Sequence, residues 1–175
     1  MVARLKPVLV VGAMFAASLS GQVDEYSVKA FFLYNFARYV DWPAESFKGP
    51  GDPITICILG QNPFGGALDQ ATTGKAVGGR PFVVRQIADI ERPCRCQILF
   101  VNASDRKRVR ATTADLKETG VLTVGETPGF AADGGVINFT REDGKVRFEI
   151  NVEAAGREHL HISSKLLNLA HIVRP

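Results

Sequence analysis

The 175-residue chain has no excess of either charge, only three cysteines and three histidines, no membrane-length apolar run and no glycine-rich nucleotide fingerprint. Each shortage closes off a class of function. Lys and Arg number 21 against 18 Asp and Glu, a net charge of +3. Arg4 and Lys6 fall in a segment expected to be removed, and no acid precedes Asp24, so 19 cations face 18 acids in the rest. Nucleic-acid binders usually carry a strongly basic patch, and no nucleic-acid partner is expected here. A 46% hydrophobic content excludes a disordered chain, and 17 glycines without a triplet period exclude a collagen-like one.

Motifs for chemistry are equally scarce. Gly60-Gln-Asn-Pro-Phe-Gly65 follows the first expected strand but lacks the G-x-G-x-x-G spacing that brings a backbone close to a pyrophosphate. Gly74-Lys75 resembles the end of a P-loop, but Asp69 stands at the first glycine position and Ala76 at the Ser/Thr position. No G-x-S-x-G nucleophile turn occurs. His159, His161 and His171 have no H-E-x-x-H pattern or carboxylate cluster beside them, and read as surface or packing residues. Ser163-Ser164-Lys165 lacks the S-x-x-K spacing of serine–lysine acyl enzymes and reads as a helix cap. No catalytic residue, metal site or cofactor is expected, and the chain reads as a non-enzyme.

What is present begins with the compartment. Arg4 and Lys6 form a positive n-region, Val8–Ala17 an apolar core, and Ser18-Leu19-Ser20 offers small residues where a signal peptidase reads. The apolar run is well short of the roughly 20 residues a spanning helix needs. Residues 1–20 are therefore expected to be a signal peptide, the alternative being an uncleaved anchor, with a domain at 24–175. Cys57, Cys94 and Cys96 then meet an oxidising compartment. A bond between Cys94 and Cys96 would close a strained ring, so Cys57–Cys96 and Cys57–Cys94 both stay open.

Along the chain, Asp24–Val40 has helical spacing through Val28, Phe31, Phe32, Asn35, Phe36 and Tyr39, and stops before Pro43. Strands are expected at Ile54–Leu59, Pro81–Arg85, Gln97–Val101 and Val121–Val124. Short apolar runs of this kind fit a mainly parallel sheet covered on both faces. Asn102–Asp105 reads as a cap for a helix over Arg106–Thr119. Val136–Thr140 and Lys145–Asn151 flank Arg141-Glu-Asp-Gly144, a strong hairpin signal, and Ser163–Ile172 reads as a closing helix. The fold class is α/β: a single three-layer domain with a mixed, mainly parallel sheet, a C-terminal antiparallel hairpin and helices on both faces.

Two surfaces are candidates for binding. Phe31, Phe32, Phe36, Tyr39 and Trp42 are more aromatic surface than one core face of a short helix is expected to bury, although an all-core reading competes. On the last hairpin strand, Glu149 sits in a polar row with Arg157 nearby in sequence, either half of a ligand site or an ordinary exposed row. The basic run Arg106, Lys107, Arg108 and Arg110 reads as a solvated helix face or a contact for an acidic partner.

Eight segments, in order, carry a resemblance. They are Val28-Lys-Ala-Phe-Phe-Leu-Tyr-Asn-Phe-Ala-Arg-Tyr-Val-Asp-Trp-Pro43, Ile56-Cys-Ile-Leu-Gly60 with Pro63-Phe64, Gly74-Lys-x-Val-x-Gly-Arg-Pro81 and Cys96-Gln-Ile-Leu-Phe100. Further on come Val121-Leu-Thr-Val-Gly-Glu126, Phe130-x-x-x-Gly-Gly-Val-Ile-Asn-Phe139, Val146-Arg-Phe-Glu-Ile-Asn151 and Ile162-Ser-Ser-Lys-Leu-Leu-x-Leu-Ala170. Together they resemble the YfiR family of bacterial periplasmic proteins over about residues 27 to 172. The resemblance implies a regulator that represses a membrane-bound diguanylate cyclase through its periplasmic part, controlling cyclic-di-GMP and biofilm. An outer-membrane lipoprotein that relieves the repression and a homodimer are also implied. Cys57 and Cys96 match the family's disulfide positions, which leaves Cys94 free. This chain has no cysteine after Cys96 to form the second pair some members carry. A periplasmic small-molecule binding protein, acting with a receptor or transporter, is the alternative reading.

Intact-mass measurement of the exported protein is expected to show a chain beginning near Gly21 or Gln22. A full-length chain held in the membrane fraction would mark an uncleaved anchor instead.

Overall fold

The computed structural model describes residues 16–103 and 106–174. The n-region and most of the apolar core of the expected leader, and Ser104 and Asp105 of the expected helix cap, lie outside the described residues. The first helix, α1 (Ala16–Tyr39), runs directly into a two-residue strand, β1 (Val40–Asp41). Strand β2 (Ile54–Leu59), helix α2 (Ala67–Thr72), and strands β3 (Ala76–Val77), β4 (Arg80–Ile87) and β5 (Ile98–Val101) follow. Next come α3 (Arg106–Asp115), β6 (Leu122–Gly125), the hairpin β7 (Ile137–Glu142) and β8 (Lys145–Asn151), and α4 (Val152–Arg157). The chain closes with β9 (His161–Ile162), α5 (Ser164–Leu167) and β10 (His171–Val173).

Eight strands form one sheet in the order β10-β8-β7-β6-β5-β2-β4-β3, and β1 pairs with β9 in a separate ribbon. The five central strands β4, β2, β5, β6 and β7 are parallel. Alternation along β2 divides the core in two: Ile54, Ile56 and Ile58 join α1 and α2 on one side, and Cys57 and Leu59 join Val109 of α3 on the other. The sheet is thus covered on both faces, and the domain is a single mixed α/β unit as its sequence pattern predicts.

Buried polar side chains explain several of the sequence segments. Gln97 accepts from the Thr55 amide at 2.8 Å and donates to the Ser46 carbonyl at 2.7 Å, while its own carbonyl takes the Trp42 indole N–H at 3.1 Å. Asn151 caps α4 by accepting from the Ala154 amide at 2.9 Å and donates to the Ala131 carbonyl at 2.7 Å. At the hairpin tip Asp143 and Gly144 have φ of 50° and 73°, the left-handed pair that a two-residue turn needs.

Several elements differ from the sequence reading. Helix α1 already includes Ala16, ahead of the expected start at Asp24, and α3 ends at Asp115 rather than Thr119. The expected closing helix is a single turn, after which His171–Val173 pairs in parallel with β8, so the hairpin is not the sheet edge. Backbone pairing available to those residues outweighs a weak helical propensity. Helix α4, capped by Asn151, was not expected at all.

Phe130, fully buried, explains two glycines at once. A Cβ on Gly125 would stand 2.4 Å from its ring and one on Gly135 only 2.0 Å, so the ring fills the space both glycines leave. Gly135→Ala is expected to destabilise by about 1–3 kcal/mol or more, because the ring has nowhere to move. Gly51→Ala, whose Cβ meets nothing within 4 Å, should stay within about 0.5 kcal/mol. Urea unfolding compares them: a lower midpoint at unchanged slope identifies the loss.

Candidate functional site at the carboxyl edge of the sheet

Lys29 reaches Glu126 just after β6, and Trp42 reaches the Gln97 carbonyl just before β5, so α1 runs antiparallel to the central strands with its early turns over the carboxyl end of β6. A cleft of about 590 Å³ lies there, lined by residues of α1, β7, β8 and the segment after β6.

Its floor is built on Lys29, a cation only 4% exposed on the inner face of α1. The Nζ donates to Glu25 Oε1 and to Glu126 Oε2, each at 2.6 Å, and stands 4.6 Å from the centroid of the Tyr26 ring. The Tyr26 hydroxyl donates to the other Glu126 oxygen at 2.9 Å. Burial, reinforced by the Glu126 hydrogen bond and charge, pushes the Tyr26 phenol far above its ordinary range, so it acts as a donor here. Arg141 closes on Glu25 at 3.1 Å. Across the cleft, Asn138 Nδ2 donates to Glu149 Oε2 at 3.1 Å.

The segment carrying Glu126 is pinned from the opposite face of the sheet. Thr127 donates to the Ala103 carbonyl at 2.5 Å. The Asp133 carboxylate, its side chain 4% exposed, receives Arg106 at 2.5 and 2.7 Å and Arg110 at 2.8 Å. Part of the basic run at the start of α3 is thus a structural tie. These hydrogen bonds, against the cost of burial, hold the Asp133 carboxyl down at about 2.

The sequence candidates are distributed unevenly. Glu149 lines the cleft, but Arg157 lies on α4 beside Glu158 in a different hollow, so the two do not form one site. Phe36 is fully buried, and Phe32 packs on Phe139 and Phe148 with ring centroids 6.2 and 5.3 Å apart. Tyr39 and Trp42 are partly buried against the same core. Truncating a buried phenylalanine costs about 3–5 kcal/mol of folding stability, which makes Phe36 a core residue rather than a contact anchor. Phe31 alone of the five is exposed, at 56%, with Val28 three residues before it on the same helix face. Sequence reasoning missed Tyr26, Lys29, Glu126 and Asn138. The one available signal was a lysine inside an otherwise apolar helical stripe.

Cys57 and Cys96 are bonded, tying β2 to the entry of β5 across 39 residues. Cys94 is free and half-buried, and burial pushes its thiol up, away from the reactive thiolate. Among the described residues no group of three or more His, Cys, Asp or Glu could hold a metal, and no helix is long and apolar enough to cross a membrane.

A family model described as YfiR/HmsC-like matches residues 26–171, from the Tyr26 that opens the cleft to the first residue of β10. The chain belongs to that family. No curated protein matches it significantly. In this family member, two of the resembling segments meet in the β1–β9 ribbon, where the Ser163 amide also donates to the Tyr39 carbonyl at 2.9 Å. A third and a fourth meet in the Asn138–Glu149 pair.

Asp133→Asn tests the tie beneath the cleft. A carboxyl whose folded value lies below its ordinary value of about 3.9 contributes stability in full above that range and loses it as pH falls towards 2. Both guanidiniums are more than half exposed, so solvent screens much of the gain. The variant is expected to melt below the native protein at pH 7, with the two melting temperatures converging as pH approaches about 2.

Proposed function

We propose that the protein is a periplasmic regulator that binds the periplasmic part of an inner-membrane signalling protein, a diguanylate cyclase, and holds it inactive. On this reading residues 1–20 are removed on export, and residues 24–175 act as one domain in the periplasm without chemistry of their own. Cyclic-di-GMP and surface attachment stay low while the contact holds. An outer-membrane lipoprotein relieves the inhibition, and the regulator acts as a homodimer. The observation that carries this reading is the family match over residues 26–171, nearly the whole of the expected mature chain. The absence of catalytic motifs from the sequence agrees with it.

The contact surface we assign is the solvent face of α1 at Val28 and Phe31, two exposed apolar side chains one turn apart. Truncating a central aromatic anchor often costs about 2 kcal/mol or more of binding, roughly thirtyfold in affinity. Carrying a partner from about 99% active to about 99% inactive needs roughly 5.5 kcal/mol of differential affinity, more than one such anchor supplies. Phe31 is therefore one contributor among several.

Deleting the gene is expected to raise cyclic-di-GMP and surface attachment. The native gene should restore both, and Phe31→Ala should restore them only in part. An unchanged nucleotide level, in a strain whose cyclase is intact, would sink the cyclase reading.

A further inference from the structure

The tie beneath the cleft explains only part of the basic run that opens α3. Every residue from Arg106 to Arg110 except the buried Val109 is a cation, and all four cations are exposed. They stand at the end of the helix where the backbone amides already concentrate positive charge, and no acid in the first turn offsets them. Helix stability does not call for such a run. Arg106 and Arg110 share the one carboxylate of Asp133, which leaves a positive charge in excess. Lys107 pairs with no acid among the described residues.

The hollow between α3 and α4 supplies a second and independent excess. Its volume is about 510 Å³, and Lys117 and Arg157 line it together with Arg110. Lys117 lies just beyond α3, and Arg157 is the last residue of α4. Both are exposed, and neither forms an ion pair among the described residues. The two acids of the hollow are already engaged. Asp133 holds its arginines, and Glu158 accepts the main-chain amides of Glu118, Thr119 and Gly120 at 3.3, 3.0 and 3.2 Å. Arg106, Arg110, Lys117 and Arg157 therefore outnumber the acids they surround, Asp133 and Glu158.

We propose that the solvent face of α3 and the adjoining hollow dock on an anionic phospholipid bilayer, with a lipid phosphate held between Lys117 and Arg157. An arginine offers a phosphate a fork of N–H donors and a lysine a point charge. The occupant follows from what the face lacks. Tight protein interfaces centre on aromatic or large apolar anchors, whereas the outward residues of α3 between its charges are Ala111 and Ala114, and no large hydrophobic side chain is exposed there. A lipid surface needs no anchor, because each Lys or Arg close to it adds roughly fivefold to the affinity. With 19 cations against 18 acids from Asp24 onward, the attraction comes from this face and not from the charge of the whole chain. α3 covers the sheet face opposite α1, so a domain lying on a bilayer through α3 turns Val28 and Phe31 away from the lipid. The inference stands apart from the regulatory reading, since vesicle binding is measured without any partner protein.

Co-sedimentation of the exported, disulfide-bonded protein with vesicles tests it. Binding is expected to vesicles of equal parts phosphatidylglycerol and phosphatidylcholine, and not to phosphatidylcholine alone. It should weaken about tenfold or more as salt shortens the Debye length from about 30 Å at 0.01 M to about 8 Å at 0.15 M, a check that needs no variant. The double variant Lys117→Gln, Arg157→Gln should bind about tenfold or more weakly, with an unchanged circular dichroism spectrum showing that it folds. Lys145→Gln, Lys165→Gln removes the same charge from the hairpin tip and α5, and should change the affinity by less than about twofold. Equal binding to the two kinds of vesicle, equal losses from the two double variants, or no binding to the anionic vesicles at low salt would each overturn the proposal. In the last case, saturable binding of polyglutamate would assign the face to an acidic protein, and saturable binding of inorganic phosphate would assign the hollow to a free anion.

Discussion

The clasp of Lys29 between Glu25 and Glu126 is the constraint on which the carboxyl edge of this domain depends. The rest of the α1 interface is apolar: Leu33, Phe36 and Ala37 bury against the sheet, and Phe32 stacks beside them. Such contacts are large but weakly directional, and a helix can rotate or slide over them at modest cost. An ammonium that is 4% exposed and meets two carboxylates at 2.6 Å has no such freedom. Breaking one side of a buried ion pair leaves an uncompensated charge, at a cost of about 3–5 kcal/mol. The clasp therefore fixes which face of α1 looks inward, leaving Val28 and Phe31 outside.

That clasp works only because its sheet-side partner is itself immobile. Glu126 follows β6, on a connection that would wander if it were an ordinary surface loop. Here the opposite face of the sheet holds it. Phe130 is wedged between Gly125 and Gly135, Asn151 binds the Ala131 carbonyl, and Asp133 is tied to two arginines of α3. Each helical layer therefore contributes to the cleft: α1 directly, and α3 by fixing the strap. A site held this way loses little conformational entropy on binding.

The legible parts of this fold were those in which one local signal agreed with the tertiary outcome. β2, β5 and β6 are short apolar runs buried on both faces, and the Asp143-Gly144 turn left no other reading for its flanking strands. The illegible parts turned on partners distant in sequence. Val28 and Phe31 have helical spacing with Phe32 and Phe36, yet the buried stripe runs through Lys29, Ala30, Leu33, Phe36 and Ala37, slightly rotated. Alanines and one lysine face the sheet beside Leu33 and Phe36, while the larger Phe31 faces solvent. β10 became a strand because β8 offered an open edge, which nothing in its own residues announces. Helix α4 did carry a local signal, Asn151 as cap ahead of Ala154 and Ala155, but it lies directly against the end of a strong strand. In the cleft, Glu149 was legible from its place in the polar row of β8. Its partner Asn138 sits in an apolar run and is found only through the register of the hairpin.

α1 carries both the buried clasp and the exposed apolar face. The same turns direct Tyr26 and Lys29 inward to Glu126 and Val28 and Phe31 outward to solvent. A partner held at the outer face that favours one azimuth of the helix therefore acts on the clasp, and it shifts the equilibrium only to the extent that it binds the two arrangements with different affinity. The small separation of the two surfaces, opposite faces of the same helical turns, means that no long path through the core is needed to connect them.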